Sequence, residues 1–426
     1  MVTRPNILWI VTTQWRAQAC GYAGDINAST PNLDSLAARG VNFAQAVTPH
    51  PFGPFARAAM LTGVPSPENG VKDYFDPLPV GTKTIAHALR DRGYDTAWFG
   101  KWHLWKRDPE APLVGEEHAQ IVVPQEARGG FDFWEGFESG FLINDPFLHG
   151  TAIPEPVRFL GYQSEVLVDR VDLWWEARAE KSPPWFCVVS LEPPHPPYEE
   201  PPGFMDVPRP EDLKVASNVP AGTVESHVRK ELAGYYAHIA ATDASIGRLL
   251  ARLRAAPGGD NTIVVFTSVH GDMHGAHGLF RKGWPHEESV RVPLVIRRPG
   301  IEGGMEDDAP VSLLDLPAMS LAWADGSEWK CPRDHAVISM PSVVKVPRQC
   351  ERVWRGVRTP AWKAIFSADK PGSPVELETP WLVFDLTRDP LENRNLIRDV
   401  AAGPILAAAR SILSGSNSVA PNPPGA

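Results

Sequence analysis

Apolar residues follow two rhythms along this chain. The first is the short unbroken run: "NILWIVTT" (6–13), "PPWFCVVSLEPP" (183–194), "NTIVVFTS" (261–268) and "RVPLVIRRPG" (291–300). Runs of this length, β-branched or apolar at nearly every position and bounded by turn residues, predict strands buried on both faces of a sheet. The second rhythm is helical. "TPNLDSLAARG" (30–40) starts on a capping residue and ends in Gly, "TIAHALRDRG" leads into the strand-like "YDTAWFG", and residues 231–255 repeat apolar positions at helical spacing. Strands alternating with helices predict an α/β fold, a parallel-rich sheet covered on both faces.

The rhythm changes near residue 340. "RVWRGVRTPAWKAIFSAD" and "PWLVFDL" are strand-like runs broken by turns, as in a small antiparallel sheet. A last helix, "GPILAAARSILSG", precedes a Pro/Asn/Gly tail that reads as frayed. The expected division is a large α/β domain over 1–335 holding the pocket, and a small α+β subdomain over 336–426. Residues 196–225, rich in Pro, Glu and Asp, read as a surface loop.

Composition narrows the function classes. With 426 residues, 43% hydrophobic and 22% charged, the chain can bury a large core. Its net charge of -10 argues against nonspecific nucleic-acid binding, and no basic arm or zinc-knuckle spacing is present. The N-terminal apolar run is too short to span a bilayer and has no signal-type cleavage region, so neither a membrane partner nor export is expected. Four Cys, at 20, 187, 331 and 350, show no CxxC pairing and read as thiols in a reducing compartment. The expected location is the cytoplasm; a homo-oligomer is left open.

Residues 48–63, "TPHPFGPFARAAMLTG", run from turn chemistry into a small-residue helix with Arg57 in its first turn. Here the chain resembles a sulfatase, a branch of the alkaline-phosphatase superfamily. The matching pieces keep the family order: "RPNILWIVTTQWR", "TPNLDSLAARGVNFAQAV", "ARAAMLTG", "GYDTAWFGKWHL", "SLEPPHPPY", "YYAHIAATDASIGRLL", "FTSVHGDMHGAHGLFRKGWPHEESVRVPLVIRRPG" and "VFDLTRDPLENRNL". The "TQWR" and "HGDMHGAHG" wording is similar to the phosphonate monoester hydrolase and arylsulfatase branch. The resemblance implies a large mixed sheet flanked by helices, plus a small C-terminal antiparallel sheet with a helix. It also implies a divalent cation held by acidic residues and a formylglycine, made from Cys or Ser, that attacks sulfur or phosphorus.

Against that pattern, three positions differ. Thr13, followed by Gln14, stands at the first acidic position, and Val269 replaces the Asp before His270-Gly271. The nucleophile aligns with Gly53, or with Phe52 if one residue is inserted before Arg57; neither can become formylglycine. A hard cation needs several anionic oxygens, which Thr13, Gln14 and His270 do not supply, and Asp272 matches an outer position of the family pattern. A Zn²⁺ site from His270, His274 and His277 would need a helix that this Gly-rich stretch does not favour. The expectation is therefore no metal and no cofactor.

The basic and imidazole residues of the family pattern remain. Each taken alone has an ordinary reading: Arg57 as a brace for its own helix, Lys101 and His103 as solvated strand-end residues, His195 as a turn residue among prolines, Lys282 as a surface lysine. Together they suggest an oxyanion pocket, since clustered cations with no anion would depress one another's ionisation. In this reading Arg57, Lys101 and Lys282, with Thr13 and Gln14, bind a small anionic substrate, while His103, His195 and His270 handle protons.

The leading expectation is an enzyme acting on a sulfate, sulfamate, phosphate or phosphonate group by transfer, elimination or direct water attack. The alternatives are a silent pseudo-sulfatase that binds an anion or partner, and an ordinary sulfuric or phosphonic ester hydrolase.

Overall fold

The computed structural model describes residues 4–179, 182–199, 201, 207–368 and 373–415. The predicted Pro/Asn/Gly tail lies outside them.

Ten strands form one mixed sheet: β1 (Asn6–Thr12), β2 (Val41–Phe43), β3 (Asp95–Lys101), β4 (Phe133–Phe137), β5 (Phe147–Gly150), β6 (Val157–Arg158), β7 (Trp185–Ser190), β8 (Thr262–Ser268), β9 (Leu294–Arg297) and β10 (Met305–Asp307). Their spatial order is β10-β2-β9-β8-β1-β7-β3-β4-β5-β6. The central β8-β1-β7-β3-β4 are mutually parallel. The edges are mixed, with β9 antiparallel to both β8 and β2. The run at 291–300 is thus a strand, but an antiparallel one: the connection after β8 carries little helix, and without a crossover the chain returns beside it.

The unbroken apolar runs are explained by helices on both faces. Ile7, Trp9 and Val11 of β1 point into one core and Leu8 and Ile10 into the other. Pleating sends alternate side chains to opposite faces, so a strand covered on both sides has no polar face. The first core is closed by α2 (Gly53–Thr62), α3 (Ile85–Arg90) and α8 (Leu316–Ala324), following α1 (Pro31–Ala37) in the chain. The second lies under α1, α5 (Gln163–Glu176) and α6 (Thr223–Ala255). Short turns α4 (Glu116–Ala119) and α7 (Glu287–Val290) complete this part.

Helix α6 starts at Thr223 rather than near 231, inside the stretch read as loop. Its first turns are polar, so periodicity hides them; Val228 is nonetheless buried and Arg229 pairs with Glu225 at 2.7 Å.

Residues 336–385 build a separate antiparallel sheet, β11 (Ala336–Met340), β12 (Trp354–Arg358), β13 (Trp362–Ser367) and β14 (Pro380–Asp385), in that order, with α9 (Ala402–Gly415) packed on it. Buried ion pairs tie it to α7: Glu287 meets Arg358 at 2.9 Å and Lys363 at 2.7 Å, and Lys363 also meets Glu392 at 2.7 Å. Among the described residues no helix is long and apolar enough to cross a membrane. All four cysteines are free; Cys20, Cys187 and Cys350 are buried.

Candidate active site

Four neighbouring parallel strands end on the same edge of the sheet, and each delivers part of the site. Thr13 and Gln14 follow β1, Lys101 closes β3 with His103 just beyond, Glu192 and His195 follow β7, and His270 and Asp272 follow β8. Loops after parallel strands converge at the carboxyl edge, which is where open α/β sheets bind ligands. There they line a cavity of about 350 Å³ together with Gly53 at the start of α2, Lys282, and Gln349 from the loop before β12.

The sequence-predicted residues come together, though not all in the same role. Thr13, Lys101, His103, His195, His270 and Lys282 line the cavity. Arg57 and Gln14 do not; both stand behind its wall. Arg57 is fully buried, and donates to the Lys101 carbonyl (3.2 Å), to Ser190 Oγ and to Thr13 Oγ (2.8 Å). Helix α2 is buried on every side, and the two terminal nitrogens of Arg57 brace the ends of β1, β3 and β7 from behind the wall. Burial lowers its pKa to about 10. Gln14 is clamped at both ends: Nε2 donates to Asp272 Oδ2 and Oε1 accepts from Lys282 Nζ at 2.7 Å.

Nor is the cluster made of bare cations. Lys101 Nζ forms a buried ion pair with Glu192, and Arg107 Nε lies 3.3 Å from Glu138 Oε1. These carboxylates offset much of the like-charge repulsion that motivated an anion-filled pocket. Sequence reasoning missed them, although Glu192 lies in the "SLEPPHPPY" motif and Arg107 follows His103 by four residues. It also missed Phe141, whose ring lies 4.2 Å from Lys101 Nζ and stacks on His195 at 4.6 Å between centroids. No pattern in the chain marks an isolated Phe as a site residue.

The ammonium groups are destabilised by burial. Desolvation brings Lys282 down to about 7, with Lys101 adding repulsion and Asp272 opposing it. Lys101 is lowered by burial to about 8 despite Glu192. Burial raises the Glu138 carboxyl to about 7 against the pull of Arg107. Burial also tends to raise Asp272, but His274, Arg281 and the His274 amide hold it near about 2.

Hydrogen-bond partners assign the tautomers of the three histidines. His195 Nδ1 faces the Pro196 carbonyl at 2.6 Å and therefore carries the proton, leaving Nε2 to accept from Lys282 Nζ at 2.8 Å. His270 Nδ1 likewise faces the Gly271 carbonyl at 2.9 Å, so Nε2 is a bare acceptor, and it has no partner among the described residues. His103 is the reverse. Arg107 Nη1 donates to its Nε2 at 2.6 Å, placing the proton on Nδ1, which has no partner among the described residues. Burial holds all three well below the usual imidazole range, helped by Arg107 at His103 and by Lys282 at the other two. They are neutral near pH 7, one presenting an N–H and one a lone pair to the same cavity.

The residues that the resemblance sets at the cation positions do not fit a hard divalent ion. Thr13 Oγ donates to the Leu191 carbonyl, and Val269 is buried in the apolar core. The remaining carboxylate, Asp272, is occupied: Oδ1 accepts from the amides of His274 (2.9 Å) and Arg281 (3.1 Å), and Oδ2 from Gln14. One engaged carboxylate beside a lysine ammonium is too little anionic oxygen for Ca²⁺ or Mg²⁺. The histidines of "HGDMHGAHG" separate as well: His274 lies against Tyr235, centroids 4.3 Å apart, and His277 against His286 at 4.8 Å. Among the described residues no group of three His, Cys, Asp or Glu is placed to hold a metal ion.

Comparison with known proteins agrees with this architecture. The family model described as Sulfatase matches residues 5–327. An ulvan-active sulfatase of Formosa agariphila is 38% identical over 322 residues, covering 74% of this chain and 60% of that protein. The chain thus matches only about 60% of that relative's length. A choline-sulfatase of Rhizobium meliloti is 27% identical over 442 residues, covering 94% of this chain and 84% of its own. Among solved structures, YidJ of Bacteroides fragilis superposes with a TM-score of 0.82 at 25% identity, over 97% of this chain and 95% of that one. The phosphonate monoester hydrolase of Agrobacterium radiobacter shares the fold at a TM-score of 0.74 and 23% identity, over 96% and 95% of the two chains. With the family match spanning most of its length, this chain belongs to the sulfatase family.

Proposed function

We propose that the chain is a sulfatase-family enzyme that cleaves a small sulfate-type ester by direct attack of water, with no resident cation and no covalent enzyme intermediate. The observation that supports it is the opposed protonation of His103 and His270 across a pocket flanked by two lysines. Relatives named as sulfatases favour a sulfate ester; sulfamate, phosphate and phosphonate esters present the same oxygens.

Each group has a task its chemistry suits. Lys101 and the His103 N–H take up charge on the non-bridging oxygens, as preorganised donors do in a buried site. His270 Nε2 accepts a proton from the attacking water as its oxygen bonds to sulfur. The S–O ester bond breaks, and the leaving oxygen takes a proton from Lys282, whose ammonium near 7 is matched to that transfer. Solvent resets both groups. Arg57 and Gln14 hold Thr13 and Lys282 in place.

The test is turnover of phenyl sulfate, phenyl sulfamate, phenyl phosphate and a phenyl phosphonate monoester by chelator-treated protein in ¹⁸O-labelled water. One labelled oxygen in the inorganic product, with kcat lowered about 10²–10⁴-fold in His270→Gln, is the expected result. Tight anion binding with no turnover of any ester would instead favour the silent, anion-binding reading.

A further inference from the structure

Phe141 is only 7% exposed, yet among the described residues it joins none of the apolar clusters that make up the cores. Its neighbours are instead the polar groups of the cavity. The ring stacks on His195, with 4.6 Å between centroids and 18° between planes, and lies nearly perpendicular to that of His103 at 6.4 Å. Lys101 Nζ stands over it, 4.2 Å from its centre, and also pairs with Glu192. The backbone at Phe141 is left-handed, with φ of 54°, a conformation disfavoured for a bulky side chain. The neighbouring loop holds it there: Gly115 N–H donates to the Gly140 carbonyl at 2.9 Å, and Val114 pairs with Gly140 in a parallel bridge. A Cβ on Gly140 would lie 2.6 Å from the Gly115 oxygen, so glycine is needed for the two loops to join. Backbone strain that the surroundings hold in place beside a site points to a side chain with a task.

Resting on the pocket reading above, we propose that Phe141 is a positioning residue that acts through Lys101 and His195. Its face attracts the Lys101 ammonium while Glu192 takes another of the ammonium protons, which leaves the remaining donor for an anion in the cavity. Its stack fixes the plane of His195, whose Nε2 accepts from Lys282 at 2.8 Å, so the same ring steadies the second lysine. An aliphatic residue of similar bulk fills the space and does neither. Around Lys101, Glu192 and Glu138 attract the ammonium, and Arg57, Arg107 and Lys282 repel it. His103 and His195 beside it are held neutral by burial. None of these groups changes when only the electrons of the Phe141 ring are altered, and that isolates the ring's own contribution.

The test replaces Phe141 in the full chain by 4-fluoro- and 3,4,5-trifluorophenylalanine, which keep the ring's shape and progressively weaken the attraction of its face for a cation. Lys101 is followed by its ε-carbon NMR resonance, assigned as the low-titrating lysine that persists in Lys282→Met. Weaker attraction disfavours the ammonium, so the titration midpoint should fall stepwise with fluorination, to about half a pH unit or more below wild type in the trifluoro variant. Phe141→Leu should weaken binding of inorganic sulfate, measured by calorimetry at pH 7, by about 5–10-fold. Equal midpoints across the ring series overturn the attraction to Lys101. Undiminished sulfate affinity in Phe141→Leu overturns the positioning role. If the wild type binds no sulfate, the pocket reading falls and the positioning role with it, whereas the ring series, which needs no ligand, still decides the contact between Phe141 and Lys101.

Discussion

Lys282 Nζ lies 2.8 Å from His195 Nε2, so the lysine donates to a histidine that is held neutral. Its second proton goes to Gln14 Oε1 at 2.7 Å. An ammonium has three donors, which leaves one for the cavity. The lysine is thus aimed by two neutral acceptors and is not paired directly with a carboxylate, unlike Lys101 with Glu192.

That difference separates the two lysines experimentally. Lys282→Met should weaken sulfate binding by about 1.5–3 kcal/mol, the scale of a charge-assisted hydrogen bond, with little loss of stability. Lys101→Met should also destabilise the fold, by about 3–5 kcal/mol, because it strands Glu192 in the interior. Titration calorimetry and chemical denaturation of both variants check this; matching stability losses would contradict it.

The pH dependences of binding and stability should run in opposite directions. Lys282 and Lys101 have folded pKa values lowered to about 7 and about 8 from 10.5. Anion binding needs the ammonium forms, so affinity is full below pH 7 and falls as pH rises through 7 to 8. For the free protein the unfolded chain holds more protons between those values and 10.5, so these two groups make stability rise with pH in that window. Sulfate titrations and denaturation curves from pH 6 to 9 read both slopes. Affinity that increases with pH would rule out the lysines as anion ligands.

Chelation should leave the site unchanged. With Thr13 and Val269 standing where the family resemblance expects acidic residues, protein dialysed against EDTA is expected to keep its sulfate affinity and melting temperature. Near-stoichiometric Ca, Mg, Mn or Zn in the purified protein, lost in Gln14→Ala, would show a cation site instead. Intact mass should match the unmodified chain, since neither Gly53 nor Phe52 can be oxidised to an aldehyde.

The join between the two sheets depends on buried charge. Lys363 Nζ is shared by Glu287 and Glu392, each at 2.7 Å, and also donates to the Pro285 carbonyl at 2.8 Å. Lys363→Met should cost about 3–5 kcal/mol in denaturant unfolding, because two carboxylates lose their partner. A loss below about 1 kcal/mol would mean that Arg358 alone sustains the cluster.

Much of the fold was legible because burial on both faces leaves a plain signature. The runs at 6–13, 183–194 and 261–268 have no polar face to hide, and their strands lie side by side in the sheet centre. The first turns of α6 were not legible, since a solvated helix end and a polar loop share a composition. The direction of β9 was hidden too, because strand propensity is the same for parallel and antiparallel pairing.

The candidate site divides along the same line. The chain by itself determined which residue types are available: Thr13 and Val269 where the resemblance expects acids, Gly53 or Phe52 where it expects the nucleophile, Lys101, His103, His195 and His270 just at or after strands, and Lys282 in the loop between β8 and β9. In a parallel-rich α/β sheet the loops after the strands gather at one edge, so their convergence could be anticipated from the fold class. What each group does was decided only in three dimensions. Arg57 became a brace because α2 is buried all round, Lys101 found Glu192, and Arg107 set the proton on His103. Protonation and charge depend on neighbours within a few ångströms that lie far away in sequence, and on the burial that packing imposes. Neither is written in the order of the residues.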